Sequence, residues 1–439
     1  MEKQQILDKI REAGVVGAGG AGFPAHIKLS CSADVVIANG AECEPLLRTD
    51  RLLMETYPKK IMLGLKAAMY VTGAKRGVIA LKKKYVKAVE AMVGALDSST
   101  ELHLMDSFYP AGDEQQIVYE VTGKVVPTGG LPIDVGAVVQ NVSTLTDIAN
   151  ALQETPVIKK YVTVTGEVAE PAVYKAPIGI PLLRLIEAAS GPKDLSDYSV
   201  IIGGPMMGRV SENIESEVVE KTTGGVIVIP KDHKLVARKT GNLESDIRLA
   251  KSVCCQCNYC TQLCPRNTLG LKVEPHKIMR ALALNADNFG YVNGIFSCCD
   301  CGVCTQYACN FQLAPSRLMT RVKQELAKAG VKPEKKVAFA PADNIECTKV
   351  PVSRLMIRLG IEGYDKDLTL KDEELYADYV RLPLKMHIGA PAVPAVNTGD
   401  SVTEGQLIAS VDKGVGANLH ASISGVAAVA DKYIEIRKQ

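Results

Sequence analysis

The sequence of 439 residues predicts an α/β domain, a small β-grasp-like domain, a helical cysteine-rich domain and a C-terminal all-β barrel, in that order. Strand-like apolar runs alternate with glycine turns and amphipathic helices over residues 1–150, cysteines cluster in two similar runs over residues 254–309, and turns recur regularly over residues 384–436. The length alone gives a prior of about three domains. These changes in sequence pattern divide the chain into segments 1–155, 156–245, 246–335 and 336–439, and the last segment begins with a linker.

The first segment alternates predicted strands with predicted helices. Residues 34–38 and 76–81 are β-branched apolar runs, which predict two buried strands. Residues 82–96 predict a helix with lysines on its outer face. This alternation is typical of an α/β domain.

The second segment changes to short β-branched runs. Residues 161–165, 199–202 and 225–229 predict strands, and residues 181–189 predict an apolar helix among them. Several short strands around one helix favour a β-grasp-like unit.

The last segment predicts a small β-barrel over residues 384–436. Its turns at residues 398–400, 404–405 and 424–425 have the spacing of a biotinyl or lipoyl carrier domain. The tip that would carry the prosthetic group on a lysine, residues 416–420, has no lysine. We therefore expect a structural or docking domain, while the charged stretch 332–378 before it shows no clear pattern.

The third segment holds two cysteine runs with matching spacing. Soft thiolates at Cys-x2-Cys-x2-Cys spacing can wrap three corners of an iron–sulfur cubane, and a fourth cysteine closes it from elsewhere. In two-cluster ferredoxins the fourth cysteine of each run serves the other cluster. The pattern therefore predicts two [4Fe-4S] clusters, one on Cys254, Cys257, Cys260 and Cys309, the other on Cys298, Cys301, Cys304 and Cys264.

Zinc and disulfides explain this spacing less well. Zinc sites usually pair two Cys-x2-Cys knuckles without a third cysteine in each run, and thiols stay reduced in a cytosol. The second run has four residues before Cys309, and Cys255 and Cys299 could serve in a slipped register. Residues 274–287 and 315–329 predict helices that pack around the clusters. The remaining cysteines, Cys31, Cys43 and Cys347, are expected to be ordinary small apolar residues.

Composition excludes several classes of partner. The net charge is +2, from 51 basic and 49 acidic residues, so neither nucleic acid nor an anionic membrane surface is favoured. No apolar run reaches the roughly 18 residues that a membrane-spanning helix needs. These observations predict a cytoplasmic protein without direct membrane insertion.

A glycine-rich loop near the amino terminus is the second candidate site. Residues 17–24 read Gly-Ala-Gly-Gly-Ala-Gly-Phe-Pro, and Lys28 follows. Glycines let a backbone approach a planar ring or a phosphate, and a lysine can neutralise the phosphate. The turn at residues 39–45 follows the first predicted strand at its carboxyl end, where open α/β sheets gather ligands.

Together these motifs resemble a known family. The glycine loop, the turn at residues 39–45, Tyr-Pro-Ala-Gly-Asp-Glu at 109–114, Gln-Asn-Val-Ser-Thr at 140–144 and the twin cysteine runs occur in the order seen in the flavin-bearing subunit of respiratory complex I. The chain is more similar to the RnfC family of the Rnf complex. With its barrel at the carboxyl end, it looks closest to the cobalamin reductases of propanediol-utilisation microcompartments. The middle region, at residues 163–166, 176–179 and 203–208, is similar to the soluble-ligand-binding β-grasp (SLBB) domain.

The resemblance implies a non-covalent FMN and a site for NADH. Two positions depart from the complex I pattern, with Ala18 in place of an arginine and Ala41 in place of a flavin-contacting aspartate. The residues expected to hold FMN are Gly19, Gly20, Gly22, Lys28, Asn39, Asn141 and Thr144. Those expected on the NADH side are Phe23, Glu42, Glu44 and Glu114.

A hydride donor delivers two electrons together and a cluster accepts one, so a flavin is needed between them to divide the pair. The predicted function is therefore electron transfer from NADH through FMN and the two clusters to an acceptor. The cofactor carries this chemistry, so we predict no catalytic side chain and expect His26, His387 and His420 to be structural.

Domain order favours a cobalamin (corrinoid) reductase, with a microcompartment location and with an adenosyltransferase or the shell as further partners. The alternatives are an electron-relay component of an Rnf-like membrane complex or of a proline-reductase-type system, and a binding scaffold whose clusters are structural.

Overall fold

The computed structural model describes residues 1–284, 292–334 and 340–439. The amino-terminal domain is a four-stranded parallel sheet with helices on both faces. Its helices are α1 (Lys3–Glu12), α2 (Ala25–Leu29), α3 (Thr49–Thr56), α4 (Pro58–Thr72), α5 (Val86–Val93), α6 (Glu114–Thr122) and α7 (Val142–Leu152). Its strands are β1 (Val35–Gly40), β2 (Arg76–Lys82), β3 (Thr100–Met105), β4 (Phe108–Tyr109) and β5 (Ala137–Asn141).

The sheet has the order β3-β2-β1-β5, and strand β1 shows how it is buried. Val36 and Ala38 point into the core that contains α4 and α7. Val35 and Ile37, on the opposite face, pack with Phe108 and with α6. A strand buried on both faces is a continuous apolar run, which is why the first predicted strand is confirmed.

The predicted helix over residues 82–96 is shorter than expected. Lys82 ends strand β2 and is 2% exposed, with its Nζ 2.9 Å from the Glu42 carbonyl oxygen. Helix α5 begins only at Val86. A lysine predicted for the outer face of a helix therefore lies inside the domain, where a backbone carbonyl oxygen accepts a hydrogen bond from it.

The second domain is a six-stranded sheet in the order β12-β7-β6-β10-β8-β9. The predicted strands and apolar helix are confirmed with slightly different bounds. Strand β12 comes from the charged stretch before the barrel and pairs in parallel with β7. The elements are β6 (Lys159–Gly166), β7 (Ala172–Pro177), α8 (Leu182–Ala188), β8 (Tyr198–Ile202), β9 (Arg209–Val210), β10 (Gly225–Pro230), α9 (Lys234–Lys239) and β12 (Leu370–Glu374).

The cysteine-rich domain is helical, as predicted. A π-type turn follows the first cysteine run, whereas in the second run it spans Cys304–Ala308, before Cys309. In both cases the next helix begins with proline. The predicted helix over residues 274–287 is confirmed up to Leu284, and residues 285–287 lie outside the described residues. The helices are α10 (Leu243–Val253), α11 (Tyr259–Gln262), α12 (Pro275–Leu284) and α13 (Pro315–Lys328), and the π-type turns are Asn267–Leu271 and Cys304–Ala308.

The predicted linker is partly built into the other domains. The boundary predicted after residue 335 lies outside the described residues. Beyond it, β11 (Val350–Pro351) pairs with β4, and α14 (Val352–Leu359) packs against the second π-type turn. The apolar face of α14 is buried with Tyr109 and consists of Val352, Leu355 and Leu359, which have helical spacing. Helix α14 therefore joins the amino-terminal and cysteine-rich domains.

The carboxyl-terminal barrel consists of two antiparallel sheets, β13-β19-β18-β15 and β14-β16-β17. It docks beside the glycine loop, where the Ile388 amide lies 3.3 Å from the Gly22 carbonyl oxygen. Within the described ranges, no helix is long and apolar enough to cross a membrane. The strands are β13 (Tyr379–Pro383), β14 (Val393–Pro394), β15 (Ser401–Val402), β16 (Leu407–Ser410), β17 (Leu419–His420), β18 (Gly425–Val429) and β19 (Tyr433–Arg437).

Lys221 connects three domains at this junction. It belongs to the second domain, is 3% exposed, and donates to the carbonyl oxygens of Gly14 and Asn418 at 2.6 and 2.7 Å. Burial lowers the pKa of Lys221 to about 7, although Asp147 opposes the shift.

The buried lysine predicts a dependence of stability on pH. Between pH 7 and 10.5 the unfolded chain binds a proton that folded Lys221 has lost, so the free energy of unfolding rises with pH in this window. Lys221→Met should remove about 2–4 kcal/mol of that rise, measured by denaturant unfolding at each pH. The exposed Lys193→Met is the control and should leave the slope unchanged; equal slopes in all three proteins would refute the assignment.

The close contact of α4 with α7 gives a second prediction. A Cβ on Gly64 would lie 2.0 Å from the Leu145 carbonyl oxygen, so the helices can approach only with glycine there. Gly64→Ala should destabilise the protein by about 1–3 kcal/mol, because backbone overlap outweighs the better helix propensity of alanine. Thermal unfolding followed by circular dichroism should show a lower midpoint than in the control Gly94→Ala, whose Cβ would meet nothing closer than 3.6 Å.

Candidate redox site

The glycine loop is a closed turn that stands over the start of α7. Val16 and Pro24 form an antiparallel bridge, and the Gly17 amide donates to the Phe23 carbonyl oxygen at 2.9 Å. The Ala18 amide donates to Thr144 Oγ1 at 2.9 Å. The loop is therefore tied to the first turn of α7.

Gly19 lies against Asn141, the residue that caps α7. A Cβ on Gly19 would be 2.8 Å from Asn141 Nδ2, so a side chain there would displace the asparagine. Asn141 Oδ1 accepts from the Ser143 amide at 2.8 Å, and its Nδ2 donates to Asp50 at 2.7 Å. Ser143 Oγ also donates to Asp50, at 2.8 Å.

The remaining predicted flavin residues are linked to this loop by contacts. Asn39 pairs with Asn141 in the register of β1 and β5, and its Nδ2 donates to the Gly112 carbonyl oxygen at 3.0 Å. Two residues after Gly112, Glu114 pairs with Lys28 at 2.5 Å. The structure thus brings the carboxyl ends of β1 and β5, the loop before α6 and the glycine loop to one place.

This arrangement fits a flavin mononucleotide. Gly19 and Gly20 are exposed, and their amides have no hydrogen-bond partner among the described residues. A Cβ on Gly20 would meet nothing within 4 Å. Free amides and the amino terminus of α7 can receive a phosphate, the nearby Lys28 supplies a positive charge, and the side-chain-free loop leaves room for a planar ring.

Two of the carboxylates predicted for NADH are already used by the protein. Glu42 accepts from the amides of Asp50 and Arg51 at 3.0 and 3.3 Å and so caps α3; burial, with a contribution from Asp50, raises the pKa of Glu42 to about 7. Glu44 accepts from the amides of Met206 and Met207, both at 2.8 Å. Both carboxylates are therefore held in place by the protein's own amides, whereas Phe23 and Glu114 are partly exposed.

Lys160 was not expected from the sequence. It follows another lysine and gives no signal of burial, yet it lies beneath the glycine loop and donates to the Ala18 carbonyl oxygen at 3.2 Å. Burial lowers the pKa of Lys160. Ala18 and Ala41, the two departures from the complex I pattern, are both buried.

The predicted outer ligand set meets at one cavity. Cys254, Cys257, Cys260 and Cys309 line a common cavity of about 30 Å³, and Cys255 also reaches it. Cys257 is exposed, and its neighbours Tyr259 and Phe311 are each about half exposed.

The predicted inner set is more deeply placed. Cys264, Cys301 and Cys304 are buried and Cys298 is half-buried. These thiols lie close enough to act on one another electrostatically, since Cys298 and Cys264 both contribute to the raised pKa of Cys304, whose main cause is burial. The thiols that the spacing assigns to each crossed set thus lie near one another, and their pairing on two clusters stays a prediction.

The two cysteine loops share an unusual backbone. Gln256 and Asp300, each two residues after the first cysteine of a run, have φ of +58° and +54°. Asn258 and Gly302, each two residues further on, have φ of +69° and +75°. When residues of left-handed backbone conformation alternate with ordinary ones, successive backbone N–H groups point into the same concave surface. This geometry recurs at iron–sulfur sites.

The thiols do not converge on a single ion. Within the ranges that the structure describes, no three His, Cys, Asp or Glu side chains could hold one metal ion. A [4Fe-4S] cluster offers a separate iron to each thiolate, so its ligands need no common point. Cys254, Cys257, Cys260 and Cys309, spaced around one cavity, fit such a cluster.

Two contacts connect the inner set to the flavin site. The Tyr109 hydroxyl donates to the Cys301 carbonyl oxygen at 2.7 Å. Arg266, two residues after Cys264, forms an ion pair with Asp113 at 2.7 Å. Asp113 precedes Glu114, so the inner set is the one nearer the flavin residues.

The other candidates have ordinary surroundings. Nδ1 of His26, His387 and His420 is buried without a partner among the described residues, and none of these histidines joins the flavin contacts described above. Burial, with a contribution from Glu44, raises the pKa of Cys43 to about 12, which keeps it a thiol.

Four family models match consecutive parts of the chain. They are the Nuo51 FMN-binding domain over residues 10–150, the SLBB domain over 161–210, a 4Fe-4S dicluster domain over 253–314 and the RnfC barrel sandwich hybrid domain over 366–438. The predicted order of segments and the cofactors, FMN and two [4Fe-4S] clusters, are confirmed.

Relatives extend the match to the full chain. Cobalamin reductase PduS of Citrobacter freundii is 39% identical over 429 residues, covering 97% of this chain and 94% of the relative. The same-named protein of Salmonella typhimurium is 39% identical over 441 residues, covering 99% and 97%. One subunit of the Na⁺-translocating ferredoxin:NAD⁺ oxidoreductase complex of Acetobacterium woodii is 35% identical over 284 residues, covering 63% and 61%.

Fold and site define an oxidoreductase that contains a flavin and two iron–sulfur clusters. The chain belongs to the PduS cobalamin reductase family.

Lys28 allows a test of the flavin site. Lys28→Met should weaken FMN binding at least about tenfold, because a lost charge-assisted hydrogen bond costs about 1.5–3 kcal/mol. Quenching of FMN fluorescence on titration with apoprotein measures the affinity. Lys9→Met, which breaks a surface ion pair with Glu154, is the control, and equal FMN affinity in both variants would exclude Lys28 from the site.

Proposed function

We propose that this protein is an NADH-dependent corrinoid reductase. It takes hydride from NADH on FMN and passes single electrons through two [4Fe-4S] clusters to a cob(III)alamin or cob(II)alamin. The near-full-length relationship to proteins named cobalamin reductase is the observation that carries the proposal. The contacts of Tyr109 and Asp113, in the segment before Glu114, with the inner cysteine run and with Arg266 support the route.

We propose that FMN lies between the glycine loop and the start of α7. The phosphate and ribityl chain would be received by Gly19, Gly20, Gly22, the α7 cap residue Asn141 and Thr144 in the first turn of α7. Lys28 and Asn39 would face the ring, where a cation favours its electron-rich reduced form. On the NADH side we retain Phe23 and Glu114, because Glu42 and Glu44 already accept two protein amides each.

Electrons would pass from the flavin to the inner cluster first. Its ligands would be Cys264, Cys298, Cys301 and Cys304. The outer cluster, on Cys254, Cys257, Cys260 and Cys309, would deliver electrons, because its cavity is the one beside exposed side chains. No side-chain acid or base is needed, since the cofactors carry the reaction.

An electron-relay component of an Rnf-like complex is the second candidate function. It is favoured by the 35% identity to the Acetobacterium woodii protein, although that match spans 63% of the chain. Under this alternative the acceptor is a membrane partner and free corrinoid is not reduced. Activity that appears only on addition of membranes would support it.

The resemblance also supports a cytoplasmic location within a microcompartment. An adenosyltransferase, which consumes reduced corrinoid, and a shell protein are the partners that we propose with it. The barrel, whose tip has no lysine, would act as a structural or docking domain.

Corrinoid reduction tests the proposal. With both cofactors loaded, the protein should reduce cob(III)alamin at the expense of NADH under anaerobic conditions, measured by the change in corrinoid absorbance. Cys254→Ser should lower this rate at least about tenfold while flavin reduction by NADH continues. Cys347→Ser, at an exposed thiol outside both sets, is the matched control.

The outcomes separate the candidates. Full activity of Cys254→Ser would contradict delivery through the outer cluster. Flavin reduction without corrinoid reduction in the unmodified protein would contradict the corrinoid assignment.

A further inference from the structure

Two arginines lie beside Cys309, the ligand that closes the outer set. Arg358, on α14, donates from Nη2 to the Cys309 carbonyl oxygen at 3.1 Å. Arg238, on α9, lies 3.5 Å from the Gln306 carbonyl oxygen, three residues before Cys309. Burial and Arg358 lower the pKa of Arg238 while Cys309 raises it, so these three side chains lie near enough to interact electrostatically.

No carboxylate balances these two cations. Among the described residues, neither Arg238 nor Arg358 forms an ion pair with Asp or Glu. Both side chains are partly buried, where a charge acts more strongly than in water. The outer set therefore has two uncompensated positive charges at one ligand.

The inner set has its cations paired. Arg266 binds Asp113 at 2.7 Å. Lys323 donates to the Cys298 carbonyl oxygen at 2.8 Å but also binds Asp300 at 3.1 Å. Asp300 lies two residues after Cys298, with its Oδ1 3.8 Å from the Cys298 sulfur. Each cation at this set is neutralised by a carboxylate.

This asymmetry acts on reduction, because a cluster gains one negative charge when it accepts an electron. A nearby cation stabilises the reduced cluster and raises its potential, and a carboxylate opposes that. Exposure acts in the same direction, since water also stabilises the added charge. The uncompensated arginines and the greater exposure therefore both raise the reduction potential of the outer cluster relative to that of the inner cluster.

We propose that Arg238 and Arg358 hold the reduction potential of the outer cluster above that of the inner cluster. One electron leaves the reduced inner cluster, which is thereby oxidised, and reduces the outer cluster, with no bond made or broken. The electron then rests at the cluster beside exposed Tyr259 and Phe311, from which a partner can collect it. The two arginines are positioning residues for this transfer.

The proposal rests on the two clusters and on their ligand sets, and it requires neither NADH nor corrinoid. The test is a mediated redox titration of the reconstituted full chain with dithionite, in which EPR follows each cluster. Loss of one signal in Cys254→Ser identifies the outer cluster. Failure of corrinoid reduction would leave this measurement unaffected.

The unmodified protein should show the outer cluster with the higher potential. Arg358→Gln and Arg238→Gln should each lower it, and the double variant should change the electron's distribution between the clusters at least tenfold, which is about 59 mV for a one-electron couple. The inner cluster should keep its potential.

Arg354→Gln is the matched control. It lies on α14, one turn before Arg358, is exposed, and forms no hydrogen bond to either cysteine run among the described residues, while it lines the same surface groove as Tyr259 and Ala308. Lys323→Gln should instead lower the inner potential. Arg358→Lys should retain most of the wild-type value, since it keeps the charge.

Three results would overturn the proposal. They are an inner cluster with the higher potential, unchanged potentials in both glutamine variants, and equal shifts of both clusters. Should Arg358→Gln lose its clusters, Arg238→Gln decides alone, because the one side-chain hydrogen bond that Arg238 makes among the described residues is 3.5 Å long and its removal disturbs little.

Discussion

The buried ion pair between Asp113 and Arg266 is the interaction on which the redox architecture depends. The two side chains are 7% and 9% exposed, and removal of one partner from such a pair costs about 3–5 kcal/mol. Asp113 also caps α6, accepting from the Gln116 amide at 3.0 Å. One carboxylate therefore fixes both the loop that carries Glu114 and the segment after Cys264. Because these two segments belong to different cofactor sites, the pair sets the separation of flavin and inner cluster.

The two β domains serve the same arrangement from the other side. Lys160 and Lys221, from the six-stranded second domain, lie under the glycine loop and under the turn that precedes it, and the barrel contacts Gly22. Glu44 ties the turn after β1 to the β-grasp domain through two amides. The loop that must admit a flavin is thus supported by three domains while its exposed glycines stay free. Rigid support beneath an open loop favours a fixed ring position.

Much of this could be predicted from the sequence, since local patterns encode it. The cysteine spacing from Cys254 to Cys309 predicted the two [4Fe-4S] clusters, and β1 was evident as an apolar run. Long-range pairings gave no such signal. Lys82 and Lys160 can be buried because carbonyl oxygens from distant segments accept hydrogen bonds from their Nζ atoms. The charged stretch before the barrel conceals α14, whose apolar face is recognisable only once its partner is known. Arg358 reaches Cys309 across 49 positions, and nothing in the sequence marks that pairing.

The central claim is a single path from nicotinamide to the outer cluster, and an anaerobic NADH titration of the flavin-loaded, cluster-reconstituted protein tests it most directly. Visible absorbance follows the flavin and EPR follows the clusters. The account predicts that the flavin bleaches, and that reduced-cluster signals appear with the outer cluster filling before the inner one. A bleached flavin with silent clusters that dithionite still reduces would contradict the path. An unchanged flavin would remove NADH as the donor.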